Sequence, residues 1–266
     1  MSLELIVQHP AYKHLLKFAN SVEAREKLLR LLQYFVRFLR YWKFRSAFSP
    51  EIAQLLPSLQ QAFTLLRKPL RILKPLNHLS GFSACVSDQL SDPILRYGEA
   101  IKQLGLFLFL SCDIIQLGKM LGLFGGKGVN EKLGQNKLIK NINKYAGLMW
   151  SIALIGGIAK NIRQFQIIIS RWYFEQKKLK NNVNTNANAN ANANANVNKE
   201  VDDDKKIHKL PLMSLSKIRR DFVKNVFDLV IASNMYGTIT VSDGLIGPLG
   251  MATSVIAIQD LWNSCR

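Results

Sequence analysis

Residues 24–44, AREKLLRLLQYFVRFLRYWKF, set twelve large apolar or aromatic side chains among six cations and a single acid, Glu26. Wound as an α-helix at about 100° per residue, Glu26, Arg30, Gln33, Arg37 and Arg40 recur at alternating spacings of four and three. They share a wedge of about 80°. The rest of the circumference, from Leu28 through Phe35 and Phe38 to Trp42, is apolar. A second stripe repeats the pattern: in LPSLQQAFTLLRKPLRILKPLNHL (residues 56–79), Gln60, Thr64, Arg67, Arg71 and Lys74 keep the same spacing. Here Phe63, Leu66, Leu70 and Leu73 lie among the flanking residues. Pro57 suits a first helical turn, Pro69 removes a backbone donor and predicts a kink, and Pro75 predicts an end.

Two environments accommodate such helices. One is a bilayer interface, with the wide apolar face among acyl chains and the cations at phosphates. The other is a helical bundle in which each helix packs on two or three neighbours and turns its narrow edge to solvent. A soluble bundle usually mixes Glu with Lys on that edge, whereas the two edges here carry five Arg and one Lys against the single acid Glu26. The sequence thus predicts lipid-headgroup contacts for Arg25, Lys27, Arg30, Arg37, Arg40, Arg67, Lys68, Arg71 and Lys74. It predicts membrane insertion for Leu28, Phe35, Phe38, Trp42, Phe63, Leu66, Leu70 and Leu73.

Charge narrows the partners. The 266 residues hold 36 Lys and Arg against 18 Asp and Glu, a net charge of +18 that favours polyanions, either nucleic acid or an anionic membrane. A nucleic-acid binder would carry a recognition module and expose less apolar surface, so no nucleic-acid partner is expected. Cys85, Cys112 and Cys265 are odd in number and lack a C-x-x-C, which indicates neither a disulfide framework nor a thiolate metal site and fits a reducing compartment. The start, MSLELIVQHPAYKHLL, does not read as a secretory signal, and NSCR at the end is not a peroxisomal matrix address.

The chain reads as all-α, with YGTITV (236–241) the best and isolated β-like stretch. Residues 181–206, an Asn-Ala tract followed by a charge cluster, predict a disordered linker. It divides an N-terminal amphipathic, membrane-associated helical region (1–180) from a C-terminal membrane-associated region (207–266). Residues 244–262 give the best membrane span, about 28 Å long as a helix. Gly244, Gly247 and Gly250 would give it a smooth face for helix packing. Residues 104–124 are long enough to span, but Asp113, Gln116 and Lys119 are costly at mid-bilayer and predict a buried or interfacial helix. Residues 145–159 are short for a span before Lys160 and Arg163.

Signatures of catalysis are missing. In LGLFGGKGVN the glycine that a phosphate loop needs at 121 is Leu, and Lys127 precedes Gly128 rather than Ser or Thr. His9 and His14 are five apart around Pro10, and no histidine pair has ligand spacing. Asp92 before Pro93 is a helix-start signal. Neither an enzyme nor a cofactor nor a metal site is expected.

Three segments, HPAYKHLLKFANSVEAREKLLRLLQYFVRFL (9–39), LRKPLRILKPLNHL (66–79) and DGLIGPLGMATSVIAIQDLW (243–262), resemble the peroxisomal membrane-elongation peroxins, the family of the eleventh peroxin. The resemblance covers roughly residues 1–175 and 215–266. It implies a membrane-associated helical bundle in the peroxisomal membrane that inserts amphipathic helices into the cytosolic leaflet, elongates the organelle and promotes its proliferation and fission. It further implies an anionic phospholipid membrane as partner, a homo-oligomer, and recruitment of fission machinery, namely a tail-anchored adaptor and a dynamin-like GTPase. Arg67, Lys68, Arg71 and Lys74 fall in the segment matching the family's inserting helix. Pro69 and the Asn-Ala tract depart from the family pattern. The alternative is a pore for small solutes, with Asp113, Gln116 and Lys119 beside an aqueous path.

Overall fold

Capping residues set where the first helices begin. Helix α1 (Pro10–Asn20) is started by His9, whose Nδ1 accepts from the Ala11 amide at 3.2 Å, and α2 (Val22–Tyr41) by Ser21, whose hydroxyl accepts from the Ala24 amide at 3.4 Å. The computed structural model describes residues 7–42, 50–88, 92–123, 136–189 and 200–265.

The second basic stripe is bent as its prolines require, although two of the three play other parts than expected. Helix α3 (Pro50–Arg67) starts seven residues before Pro57, which lies inside it. The chain then tightens into a 3-10 turn at Pro69–Arg71, because Pro69 cannot donate and its ring crowds the preceding turn. Pro75 opens α4 (Lys74–Ser87) instead of closing the stripe, since a first-turn proline gives up an amide that no helix bond would use.

Helix α5 (Pro93–Met120) begins at Asp92, whose carboxylate accepts from the amides of Ile94 and Leu95. After a short α6 (Lys137–Lys140) come three long elements, α7 (Ile142–Ala189), α8 (Glu200–Tyr236) and α9 (Asp243–Ser264). Among the described residues there is no strand: YGTITV is the last residue of α8 and a turn in which Gly237 takes φ +98°. The Asn-Ala tract is carried as helix over 181–189 and 200–206, and residues 190–199 lie outside the described residues.

Each long element packs on the next in sequence, and the last returns to the first. Six staves therefore form a closed up-and-down ring: α2, the α3/3-10/α4 rod, α5, α7, α8 and α9. Regions 1–180 and 207–266 share this one ring. Glycine permits the closest approaches. A Cβ on Gly105 of α5 would sit 2.8 Å from the Ala153 Cβ of α7, and one on Gly156 would sit 2.9 Å from the Gly98 carbonyl. At the closing seam, Gly244, Gly247 and Gly250 of α9 abut Tyr41, Phe38 and Tyr34 of α2, and Trp262 meets His14 and Phe18 edge-on.

The distribution of polarity inverts that of a water-soluble bundle. Leu28, Leu32, Phe35, Leu59, Leu66 and Leu73 are exposed on the outside, Leu73 by 73%. Among the described residues the cluster of buried apolar side chains is small, around Tyr34, Ile231 and Ile246. Three helices among the described residues are long and apolar enough to cross a membrane: Pro93–Met120, Ile142–Lys178 and Asp243–Ser264. The first two take in residues 104–120 and 145–159 by length and composition. Asp113 and Gln116 turn into the ring and line its cavity, and residues 145–159 lie near the start of a much longer helix.

Candidate functional site: a charged cavity inside the ring

The polar wedges of α2 and of the α3/α4 rod face each other across the ring interior and enclose, with α5, α7 and α8, a cavity of about 690 Å³. Glu26, only 1% exposed, is the hub at one side. Its carboxylate takes Lys27 at 2.9 Å, Arg67 at 3.1 Å and Lys74 at 3.9 Å, while Lys74 also reaches Glu23 at 3.3 Å. Asp113 is the second hub. Lys68 donates to it at 2.5 Å and to the Gln116 carbonyl oxygen at 2.7 Å, and Arg71 pairs with its other oxygen. On the far side Arg30 reaches Asp228 of α8 at 2.5 Å and the Thr253 hydroxyl of α9 at 3.2 Å, with Tyr34 and Trp150 rings within 5.8 Å of its guanidinium.

These groups titrate as their surroundings dictate. Burial opposes the charge on Glu26, but Lys27, Arg67 and Arg71 outweigh it and hold the carboxyl well below the usual carboxylate range. Burial brings Lys27 down to about 8 against the pull of Glu26, and burial with the neighbouring Arg71 brings Arg67 down to about 10, still charged at neutral pH. A depressed carboxyl stabilises the fold above its unfolded pKa of about 4.3, and that contribution fades as pH falls further. The gap in melting temperature between wild type and Glu26→Gln should therefore be full at pH 6 and shrink below about pH 4; a gap that stays constant down to pH 3 would mean that Glu26 is not held ionised by its cations.

The nine cations expected at lipid headgroups fall into two groups. Lys27, Arg30, Arg67, Lys68, Arg71 and Lys74 all line the cavity, and Arg30, Arg67 and Lys68 are less than 10% exposed. Their wedge thus faces the ring interior rather than its outer surface. Helical periodicity defines a polar face without saying whether that face looks out of a bundle or into it. Arg25 is exposed and donates to the Asn20 carbonyl at 3.2 Å; Arg37 and Arg40 clamp Asp243 at the start of α9, at 2.6 and 2.9 Å. Of the insertion residues, Leu28, Phe35, Trp42, Leu66 and Leu73 are exposed outward, Phe63 and Leu70 are half-buried, and half-buried Phe38 packs on Gly247.

Sequence reasoning missed the α8 wall. Asp221, Lys224, Asn225 and Asp228 line the cavity at the i, i+3, i+4, i+7 spacing of one helix face, a signal present in the chain itself. Lys160 and Asn161 of α7, polar interruptions in an apolar run, are the matching signal opposite. Among the described residues no group of three or more His, Cys, Asp or Glu is placed to hold a metal ion.

An apolar outer wall around a charged interior defines a helical membrane protein. The chain matches the profile of the peroxisomal biogenesis factor 11 (PEX11) family over residues 12–262, and it belongs to that family. It is 36% identical to "Peroxisomal membrane protein PMP30B" of Candida boidinii, with 98% of each chain covered. It is 27% identical to "Peroxisomal membrane protein PMP27" of Saccharomyces cerevisiae over 99% of this chain and all of that one. To human "Peroxisomal membrane protein 11B" it is 22% identical, covering 92% of this chain and 95% of that one. No solved structure matches. The protein is a peroxisomal membrane protein, and family membership supports a role in peroxisome proliferation.

Proposed function

We propose that this protein elongates the peroxisomal membrane by seating its helix ring in the bilayer, with the outward apolar faces of α2, α3 and α4 occupying volume in one leaflet. Unequal area in the two leaflets produces curvature. The observation that carries this reading is the outward exposure of Leu28, Phe35, Leu66 and Leu73 on consecutive staves. Electrostatic attraction to anionic headgroups then rests on Arg25 and the partly exposed Arg37 and Arg40, at about 1 kcal/mol each near a charged surface. Self-association and recruitment of a tail-anchored adaptor and a dynamin-like GTPase rest on the resemblance alone; co-purification from cells tests them.

The test replaces Leu28, Phe35, Leu66 and Leu73 with Asn in the full chain and expresses it in cells lacking the native protein. Each side chain transfers about 1.5–3 kcal/mol into an apolar environment, so the variant should leave peroxisomes round where wild type elongates them. Equal elongation by both would defeat the proposal. A second reading, a pore for small solutes, is favoured by one observation: the charged cavity lies inside an apolar wall. Release of a small trapped solute from vesicles carrying wild-type protein, measured beside tubule formation, separates the two.

A further inference from the structure

We propose that the cavity within the ring is a binding site for a multivalent phosphate-type anion, held chiefly by Arg67 and Arg71. This rests on the polar interior alone and stands whichever role at the membrane is correct. Ten Lys and Arg line the cavity against four Asp and Glu. Glu23 and Glu99, which reach Lys74, Lys102 and Lys160 from outside the lining set, raise the acids to six and leave four cations in excess. In surroundings poorer in water than bulk, such an excess is costly unless a mobile anion balances it.

The excess is concentrated where α2, the α3/α4 rod and α5 meet. There Lys27, Arg67, Lys74, Lys68 and Arg71 share the carboxylates of Glu26 and Asp113. The second observation is a set of donors without acceptors. The Nε–H of Arg67 and of Arg71 and the Nδ2 amide of Asn161 are buried, belong to the cavity wall, and have no hydrogen-bond partner. A guanidinium whose Nε–H is free beside a terminal NH₂ presents the two parallel donors that a phosphate accepts side-on. Arg67 is itself 92% buried, being 8% exposed. A volume of about 690 Å³ lies within the usual range for small-ligand sites and exceeds that of a single inorganic ion. The chemistry therefore fits two or more phosphate charges on a small molecule, either a free phosphorylated compound or a phosphorylated lipid headgroup.

The experiment uses the full chain in neutral detergent at fixed ionic strength, titrated with pyrophosphate, with a short-chain phosphatidylinositol 4-phosphate, and with chloride as the charge control. Equilibrium dialysis of radiolabelled pyrophosphate measures binding to the wild type directly. Saturable binding of pyrophosphate that chloride does not compete is the expected result. If the lipid displaces it at lower concentration the natural source is a headgroup, and if not, a free compound; either outcome supports the site. Arg67→Lys with Arg71→Lys keeps the charge but removes the fork, and should weaken binding at least tenfold, whereas Lys137→Gln with Lys140→Gln on the exposed α6, away from the cavity wall, should leave it unchanged. Circular dichroism and elution volume confirm that the variants are folded. The proposal is overturned if wild type shows no saturable binding of either probe, if chloride competes as well as phosphate, or if the α6 variant loses binding as fully as the lysine pair.

Discussion

Asp113→Asn is expected to destabilise the folded ring by about 3–5 kcal/mol, the usual consequence of removing one member of a buried ion pair and leaving its partner charged. The side chain is 8% exposed and takes both Lys68 and Arg71, so the substitution strands two cations in a wall that already carries an excess. At about 2–4 °C per kcal/mol for a chain of this size, melting in detergent should fall by roughly 6–20 °C. Because the loss comes from charge imbalance, Asp113→Leu combined with Lys68→Met and Arg71→Leu should regain most of it. A single variant as stable as wild type would mean that water reaches Asp113 freely and that the hub does not hold the staves together.

Gly105→Val should force apart the crossing of α5 and α7. A Cβ there would lie 2.8 Å from the Ala153 Cβ and 2.9 Å from its backbone nitrogen, and backbone cannot swing aside as a flexible side chain does. Overpacking of this kind costs about 1–3 kcal/mol and separates α5 from α7, which together supply Asp113, Gln116, Lys160 and Asn161 to the cavity. Gly81→Ala is the contrast: the nearest atoms to its new methyl belong to the flexible Gln103 side chain, at 3.1 Å, and the change should be neutral or stabilising through helix propensity. Thermal melts of the two variants that could not be told apart would remove close glycine packing as a determinant of the ring.

Much of the architecture is legible in the chain. Alternating four and three spacing located α2 and the α3/α4 rod, Asp92 before Pro93 marked the start of α5, Pro69 marked the bend, and the apolar run at 244–262 gave α9. What the sequence hid is long-range. Arg30 and Asp228 are 198 residues apart, and Lys68 and Asp113 are 45 apart, so no local window contains both members of either pair. For the same reason Asp113 looked like an obstacle to a span rather than the partner of a lysine on another helix. Lys119, grouped with it by sequence, is exposed at the last turn of α5 and is not part of the cavity wall. Pro75 was misread because a proline that stops one helix and one that starts the next look alike without the intervening turn.

An even number of antiparallel staves has a consequence for how the ring can be opened. Five of its six joints lie between elements consecutive in the chain, whereas α9 meets α2 with no short connection between them. That seam is a hinge side without a hinge pin: Gly244, Gly247 and Gly250 pack on the Tyr34, Phe38 and Tyr41 ridge, and the Arg37 and Arg40 clamp on Asp243 is its latch. Parting there breaks no loop, so trading of α9 between two neighbouring rings is the rearrangement the connectivity permits at least topological cost.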